Sequence, residues 1–466
     1  MVSTRVEYDS IGKLDVPSDA YYGVQSLRAY QNFPITGNRM HDKQIDMLAA
    51  LKKASAYANH RAGILDVKIR DAIVQACDEI MAGQFHDQFI ADPIQGGAGT
   101  SANMNANEVI ANRAIEILGG VKGDYSIVHP NDHVNMSQST NDIYPSSGKL
   151  AALALMPALL SELQRLYDAL MAKAEEFDNV MKVGRTQLQD AVPIRLGQEF
   201  HAYASAIKRD LNRIDKVREN ISVLNMGATA IGTAINVPAS YLEHIAQDVT
   251  EASGIEVTNN TDLVDGTQNL DGLVAVSGML KACAVTLSKM SNDLRLMSSG
   301  PLTGLAEINL PPKQNGSSIM PGKINPVIPE VVSQVAFAVI GNDMTITMCA
   351  EGGQLELNAF EPVAFYRLFE SITAMTGAVR TLIDNCILGI TANVDRCKYL
   401  LDHSVCTVTA LTPHIGYKHA ADIAKTALKT GKTIRELVLE EKLFTVEELD
   451  KILDPYPMTV PGASLK

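Results

Sequence analysis

The sequence contains no tryptophan, and aromatic residues make up only 5% of its 466 positions. A large core must therefore be built from leucine, isoleucine, valine, methionine and alanine, a mixture that suits packed helices. The hydrophobic fraction of 46% and the charged fraction of 20% are ordinary for a globular protein. The length allows several domains or one large helical assembly.

The sequence also lacks an excess of basic residues, because 40 lysines and arginines against 53 aspartates and glutamates give a formal charge of −13. Nucleic acid is therefore not expected as a partner, and an anionic ligand would need local positive charge. The six cysteines form no C-x-x-C pair, so we expect reduced, buried thiols and a cytoplasmic location.

Membrane-targeting patterns are missing too. Residues 1–7 contain no apolar segment of the signal-peptide type. The longest apolar run, 150–160, is about half the length of a membrane span and contains a proline. No membrane association is expected.

Long helical patterns fill the middle of the chain, and several are apolar on nearly every side. They cover residues 150–177, 196–221, 269–298, 326–349 and 361–387. Five such helices predict a bundle, and their apolar surfaces predict that other subunits complete it. Shorter helices are expected at 42–62, 67–82, 103–118, 414–429, 433–440 and 446–453, the last starting at Thr445. We predict a mainly α protein with an N-terminal mixed helical domain (1–140), a central helical-bundle domain (141–392) and a small C-terminal helical domain (393–466).

A glycine-rich segment, GGAGTSANMN, begins at residue 96. It formally fits a dinucleotide fingerprint, but that motif needs a preceding hydrophobic strand, and FHDQFIADP at 85–93 is not one. A dinucleotide oxidoreductase is therefore the weakest interpretation. The hydroxyls of Thr100 and Ser101 could bind an anion at a helix start, or the segment is an ordinary helix-entry loop.

Residues 129–142, HPNDHVNMSQSTND, concentrate polar side chains in a short stretch. Two histidines and two aspartates invite a metal site, but His-x₃-His outside a helix is a weak ligand pattern, so no metal is expected. Ser139, Thr140 and Asn141 are typical of an anion-binding turn of neutral donors. The alternative is a capping turn before the next helix.

The segment GRTQLQDAVP at 184–193 is a polar elbow before a long helix. Thr186 and Gln187 can bind a ligand through hydrogen bonds without adding charge. Arg185 and Asp190 could simply form an internal ion pair that holds the turn. No histidine is present, so the segment offers no general base at neutral pH.

The most informative segment is GSSIMPGKINP at 316–326. Ser317 and Ser318 lie between glycines, which allow close approach to a ligand, while Lys323 and Asn325 offer a positive charge and an amide that suit a carboxylate. The pattern indicates a mobile loop that carries a nucleophile or base beside an anion clamp. The alternative is a connector without chemical function.

This loop resembles the signature loop of the fumarase/aspartase superfamily of lyases, which eliminate a group β to a carboxylate. The three preceding segments resemble other blocks of that superfamily, as do MGATAIGT at 226–233 and NDLRLMSSGP at 292–301. The likeness covers nearly the whole chain. It implies a fumarase/aspartase-like fold and a homotetramer in which the 96–101 and 139–141 blocks, the 184–187 elbow and the 316–326 loop meet from three subunits.

Local residues resemble the aspartase branch more than the class II fumarases. The elbow has TQLQDAVP where those fumarases typically have THLMDATP, although HPND at 129–132 is similar to their second dicarboxylate site. The resemblance implies reversible deamination of L-aspartate to fumarate and ammonia, with fumarate hydration as the main alternative. A non-catalytic structural role on the same fold, as in some lens crystallins, is disfavoured by the intact Ser317, Lys323 and Asn325.

The resemblance also implies residue roles. Ser317 would remove the Cβ proton, and its alkoxide would need loop backbone amides and nearby positive charge. The implied contacts to the β-carboxylate are Thr100, Ser139, Thr140 and Ser318, and those to the α-carboxylate are Thr186, Lys323 and Asn325. Asn141 and Gln187 would contact the amino group or an adjacent carboxylate, and Ser101 belongs to the anion-binding loop. No cofactor is expected.

Overall fold

The structure, a computed structural model, describes residues 3–463 and is mainly helical. In chain order the helices are α1 (Val24–Asn32), α2 (Asp42–Arg61), α3 (Val67–Met81), α4 (Thr100–Ile117), α5 (Thr140–Glu176), α6 (Leu196–Val217), α7 (Ala239–Ser253), α8 (Leu263–Gln268), α9 (Asp271–Met297), α10 (Val327–Glu351), α11 (Glu361–Asn385), α12 (Val394–Asp402), α13 (Val408–Ile415), α14 (Tyr417–Thr430), α15 (Ile434–Glu440), α16 (Val446–Ile452) and α17 (Pro455–Met458). The five long helices predicted from the sequence are confirmed as α5, α6, α9, α10 and α11.

Short two-stranded pairs account for the strands. They are β1 (Thr4–Tyr8) with β2 (Lys13–Pro17), β3 (Met181–Thr186) with β4 (Gln189–Arg195), β5 (Val223–Leu224) with β6 (Thr258–Asn259), and β7 (Ile308–Asn309) with β8 (Thr391–Ala392). The β5–β6 pair is parallel and the others are antiparallel. None of these strands was predicted, and the β3–β4 hairpin matters most because it carries two expected site residues, Thr186 and Gln187.

Helix α5 begins at Thr140, well before the predicted start at 150. Pro145 lies inside it and cannot donate the backbone hydrogen bond to the carbonyl of Asn141. That carbonyl instead accepts a hydrogen bond from the side-chain amide of Asn225 at 3.0 Å. The helix therefore passes the proline, and the 139–141 turn becomes its N-terminus.

The chain groups into two compact units, each made of three segments. Unit one comprises Met1–Leu160, Asn212–Ala282 and Phe337–Thr376, and unit two comprises Ser161–Leu211, Cys283–Ala336 and Gly377–Lys466. In unit one, α2 packs between α3 and α7 and buries Ile45, Leu48 and Leu51 completely or nearly so. The predicted domain limits at 140 and 392 stay a prediction.

In unit two, the helices near the C-terminus enclose a small apolar core. Its fully or largely buried members are Leu411, Ile423, Ala427, Ile434, Leu437, Val438 and Leu449. The predicted start of α16 at Thr445 is confirmed, because its hydroxyl accepts from the backbone of Glu448 while the Glu448 carboxylate accepts from the Thr445 N–H. This reciprocal capping fixes the first turn of the helix.

Within residues 3–463, three helices are long and apolar enough to cross a membrane by length and composition alone, namely α5, α9 and α10. The sequence interpretation counted only uninterrupted apolar runs and so missed them. Only 39% of the most apolar 18-residue stretch of α10 is buried within the chain. Phe337, Met344 and Met348 are each more than 60% exposed there. A continuous apolar face of this kind needs a partner surface.

Candidate active site

The glycine-rich segment forms the entry to α4, and its geometry depends on Gly99. This residue has φ +91°, and a Cβ there would lie 2.3–2.6 Å from ring atoms of the buried Tyr144. The side chain of Gln95 accepts a hydrogen bond from the N–H of Ala102 and caps the first turn. The hydroxyl of Thr100, at the exposed start of the helix, donates to the Gly97 carbonyl at 2.8 Å. It must turn away from that carbonyl to donate to a ligand.

The Ser139–Asn141 turn, in unit one, is the N-terminus of α5. The Ser139 hydroxyl accepts from the Asn141 N–H at 3.2 Å, and the Ser139 N–H donates to one oxygen of the buried Asp142 at 2.9 Å. The other Asp142 oxygen accepts from the N–H groups of Gly227 and Thr229, both at 3.1 Å. Asp142 therefore joins the turn to the 226–233 segment.

The side chain of Asn141 has a defined orientation in this turn. Its amide nitrogen donates to the carbonyl of Ala230 at 2.7 Å. The amide oxygen consequently points elsewhere and is the end of the side chain that can accept a hydrogen bond from an ammonium group.

A buried lysine lies behind the same turn, and the sequence interpretation missed it. The ammonium of Lys52, on α2, donates to the amide oxygens of Asn103, Asn135 and Gln138 at 2.8, 2.9 and 2.9 Å. Asn103 in turn donates to the Thr140 hydroxyl at 3.2 Å. Lys52 is fully buried, and this burial lowers its pKa to about 7, against the opposing effect of the Asp142 charge.

The 129–134 segment folds into a single helical turn over Pro130–Val134. The ring of His129 accepts hydrogen bonds from the N–H groups of Asn131 and Asp132, which is a capping arrangement. Between residues 3 and 463 no cluster of three or more metal-ligating side chains occurs. Ser101, His129 and Arg28 are among the residues that line a cavity of about 420 Å³.

The 184–193 elbow is the β3–β4 hairpin of unit two. Thr186 pairs with Gln189, and the two turn residues Gln187 and Leu188 have φ +54° and +62°. Two successive positive φ angles match the tight hairpin turn that follows the strand twist. The turn leaves the side chains of Thr186 and Gln187 exposed.

A buried carboxylate holds the base of this hairpin. Arg185 donates to Glu307 at 2.8 Å. Arg185 and Asp190 are cross-strand neighbours, but within residues 3–463 they do not form the ion pair that the sequence offered as one alternative. Lys182 lies 3.2 Å from the other oxygen of Glu307 and 2.9 Å from Glu199. Glu307 is completely buried. It fixes the strand that leads directly into Thr186.

The 316–326 loop is closed at its base. The Gly316 N–H donates to the Lys323 carbonyl at 2.7 Å, and the Asn325 side chain donates to the Gly316 carbonyl at 2.9 Å. A Cβ on Gly316 would lie 2.6 Å from the Lys323 carbonyl oxygen, so only glycine fits there. One N–H of the Asn325 amide is thus committed to the loop, and the second remains for a ligand.

Within the loop, the Ser317 hydroxyl oxygen accepts two backbone hydrogen bonds. They come from the N–H groups of Ile319 at 3.2 Å and Met320 at 3.1 Å. Two converging donors favour a negatively charged oxygen over a neutral one. Lys323 and Ser318 are exposed, and Lys323 forms no ion pair with any residue between 3 and 463.

Comparisons with known proteins show which family this chain resembles. A family model described as "Lyase" matches residues 12–341, and one described as "Fumarase C C-terminus" matches 408–460. An aspartate ammonia-lyase of Bacillus subtilis (strain 168) is 52% identical over 99% of this chain and 97% of its own length. One from Helicobacter pylori (strain J99) is 51% identical over 99% of both.

Two solved structures also resemble this chain over nearly its whole length. A "fumarate lyase:delta crystallin" from Brucella melitensis, bound to cobalt, superimposes with a TM-score of 0.96 at 49% identity, covering 98% of this chain and 100% of that one. A class II fumarase from Schistosoma mansoni gives 0.95 at 36% identity, covering 99% and 100%. The chain belongs to the aspartate ammonia-lyase family.

Membership in the aspartate ammonia-lyase family confirms the predicted fold class and the predicted enzyme class, a carbon–nitrogen lyase. The structure gathers Ser139, Thr140 and Asn141 in one turn of unit one. It gathers the four expected residues of the signature segment in one loop of unit two, and Thr186 and Gln187 in one hairpin turn. The individual roles given to these residues stay predictions, as does the absence of a cofactor.

Proposed function

We propose that this chain catalyses the reversible deamination of L-aspartate to fumarate and ammonia. The observation that carries the proposal is the Ser317 hydroxyl, whose oxygen accepts two backbone N–H groups inside the family's signature loop. The named relatives, about half identical over almost the whole chain, support the choice of substrate. The intact Ser317, Lys323 and Asn325 set argues against a purely structural role.

The first step removes the proton on Cβ. The Ser317 alkoxide takes this proton, and the electron pair of the C–H bond moves into the β-carboxylate to give an aci-carboxylate dianion. A free serine is too weak an acid for this task, so the two loop N–H groups and the positive charge of Lys323 on the same loop must stabilise the alkoxide. The electron pair then returns to form the Cα–Cβ double bond as ammonia leaves.

The remaining groups act on the two carboxylates and the amine. Hydroxyls of Thr100, Ser139, Thr140 and Ser318 donate to the β-carboxylate, where charge develops, and so bind the intermediate more tightly than the substrate. Lys323, Asn325 and Thr186 hold the α-carboxylate. Asn141 accepts from the amino group through its free amide oxygen, while Gln187 contacts the amine or the adjacent carboxylate, and Ser101 supports the anion-binding loop.

The test of this function is fumarate formation, followed by absorbance at 240 nm with L-aspartate or L-malate. Aspartate should yield fumarate and ammonia, and malate should be nearly inert. Equal turnover of malate would assign the chain to the fumarases instead. Ser317→Ala should retain the fold and lose about 10² to 10⁴-fold in kcat.

A matched control for Ser317 is Ser299→Ala. The Ser299 hydroxyl also accepts a backbone N–H in a loop, from Leu305 at 3.1 Å, but it lies outside the signature segment. It should keep near-normal activity. If Ser317→Ala behaves like this control, serine is not the base.

The proposal includes assembly into a homotetramer with composite sites. The exposed apolar residues of α10, with Phe337 63% exposed, support burial against other copies of the chain. Blocks from three subunits then complete each site. Coexpression of Ser317→Ala and Thr186→Ala chains should restore part of the activity in mixed tetramers, whereas a fully active monomer in light scattering would contradict the arrangement.

The six cysteines, all free and buried, support a reducing environment and hence the proposed cytoplasmic location. Expression of a fluorescent fusion in the native host, followed by fractionation, tests this location. Recovery of the protein in the membrane or periplasmic fraction would overturn it.

A further inference from the structure

The Lys52–Asn103 pair determines which way the Thr140 hydroxyl can donate its proton. An ammonium group has donors only, so the oxygen atoms of its hydrogen-bonded amides must face it. Lys52 Nζ contacts Asn103 Oδ1 at 2.8 Å, and this contact fixes the orientation of the Asn103 amide. The nitrogen of Asn103 therefore faces Thr140.

The direction of that hydrogen bond has a chemical consequence. Because Asn103 donates to Thr140 Oγ1 at 3.2 Å, the Thr140 hydroxyl is an acceptor on its protein side. Its own proton must then point elsewhere, and in residues 3–463 no protein group accepts it. This leaves the proton available to a ligand oxygen at the N-terminus of α5.

The surroundings make the opposite orientation of Asn103 unfavourable. Asn103 is 1% exposed, and its nitrogen also donates to Asn135 Oδ1 at 3.1 Å. Turning the amide over would place a nitrogen against the Lys52 ammonium and an oxygen against the Asn135 oxygen. Both contacts would be repulsive, and in a buried site neither would be relieved by water.

The three hydrogen-bond partners of the Lys52 ammonium are neutral amide oxygens, and among residues 3–463 no carboxylate contacts this buried positive charge. Two of them, Asn135 and Gln138, belong to the segment that runs into Ser139. The same ammonium thus orients the chain before the turn and the side chain behind it. A lysine is rarely fully buried without a carboxylate partner, and here its ammonium orients the three amide side chains around it.

We propose that Asn103, held by Lys52, is a positioning residue that directs the Thr140 proton toward the substrate carboxylate. This inference rests on the proposed function, in which Thr140 stabilises the charge developing on the β-carboxylate. Asn103 itself does not touch the substrate. It acts by making Thr140 a donor toward the site.

The decisive variant is Asn103→Asp, which keeps the side-chain shape but offers only acceptors when ionised. The carboxylate gives Lys52 an ionic partner, which offsets the repulsion between its second oxygen and Asn135 Oδ1, so we expect the fold to be retained. Its second oxygen, however, accepts from Thr140 and draws the proton away from the substrate. We expect kcat to fall by about 10²-fold, the effect of losing one donor to a developing oxyanion, with a smaller change in KM.

The comparison with Asn103→Ala separates orientation from packing. Alanine leaves a cavity but lets the Thr140 hydroxyl turn freely, so it should retain more activity than aspartate despite a lower thermal midpoint. If packing alone mattered, the isosteric aspartate would be the milder change. An activity order of alanine below aspartate would therefore overturn the proposal.

Asn107→Asp is the matched control on the same helix. Asn107 is equally buried and donates to the same Asn135 oxygen at 3.1 Å, but no contact links it to Thr140 within residues 3–463. It should lose much less activity than Asn103→Asp. Equal losses at the two positions would show a general effect of buried charge and would refute the specific role.

A double-mutant cycle covers the case in which Asn103→Asp does not fold. If Asn103 acts through Thr140, Asn103→Ala should cost little further activity in a Thr140→Ala background. Fully additive losses would refute the inference. Failure of the proposed function is distinguishable, since then Thr140→Ala itself would leave aspartate turnover unchanged.

Discussion

Replacement of Gly99 by alanine tests whether a glycine is required at the entry to α4. Its left-handed backbone, φ +91°, costs an alanine about 1–2 kcal/mol. A Cβ there would also lie 2.3 Å from Cγ of Tyr144, a ring that is 1% exposed and packs edge-on against Phe365. Cγ is the root of the ring and cannot move aside alone, so overpacking adds about 1–3 kcal/mol. Gly99→Ala should therefore destabilise the protein by about 2–5 kcal/mol.

Gly97 supplies the control for this prediction. It has a similar φ of +87°, but its nearest neighbour to a new Cβ is Thr100 at 3.9 Å. The destabilisation of Gly97→Ala should thus reflect the cost of the left-handed backbone alone. Thermal unfolding of both variants at one protein concentration measures the difference, since subunit association makes the midpoint concentration-dependent. Fumarate formation well below the midpoint then tests whether Thr100 is displaced. Equal destabilisation of the two variants would refute the proposed clash with Tyr144.

Three further predictions concern charged groups. Glu307→Gln should destabilise the folded protein by about 3–5 kcal/mol, because Lys182 and Arg185 lose a buried charged partner, and it should raise KM through the adjoining Thr186. The control in calorimetry is Glu440→Gln, at an exposed position. Equal thermal midpoints for the two variants would contradict the role of Glu307. Burial raises the pKa of Glu361 to about 8, partly offset by Lys149. The folded state then holds the proton more tightly than the unfolded chain, so this carboxyl lowers stability as pH rises from 5 to 8. Glu361→Gln should gain in thermal midpoint relative to the parent over this range, and a constant difference would oppose this reasoning. Lys323→Ala should raise KM for aspartate strongly and lower kcat, because the substrate carboxylate loses its charged partner, whereas Lys313→Ala ten residues earlier should leave both nearly unchanged in the same 240 nm assay.

The sequence was a good guide to the long helices because their apolar periodicity extends over many turns. The residues at which these helices begin and end were less predictable from the sequence. The start of α5 at Thr140 depends on Asn225 satisfying the carbonyl that Pro145 leaves free, and Asn225 is far away in the chain. The β3–β4 hairpin was not predicted, because its turn residues, Gln187 and Leu188, have positive φ angles without the glycine or asparagine that usually marks such a turn.

The supporting residues of the site were harder to predict than the residues expected to touch substrate. A lysine in an amphipathic helix normally reaches solvent, so nothing local in α2 marks Lys52 as buried. Glu307 pairs with Arg185 across more than a hundred residues, whereas the nearby Asp190 looked like the natural partner. Such pairings depend on tertiary distance, which a single sequence does not contain.

Two of the groups of expected site residues are built in contrasting ways, and the contrast fits their proposed tasks. The Ser139–Asn141 turn is braced by the fully buried Lys52 and Asp142, so its donors are held in place before charge develops on the substrate. Preorganised donors are most effective there because they need no rearrangement during the reaction. The Ser317 loop is fastened at its base, while its tip carries Ile319 at 84% exposure. A base on a loop that opens admits the substrate, and a base on a loop that closes excludes water from the alkoxide. Stiffening the tip should therefore slow substrate entry or product release without weakening the donors at Ser139 and Thr140.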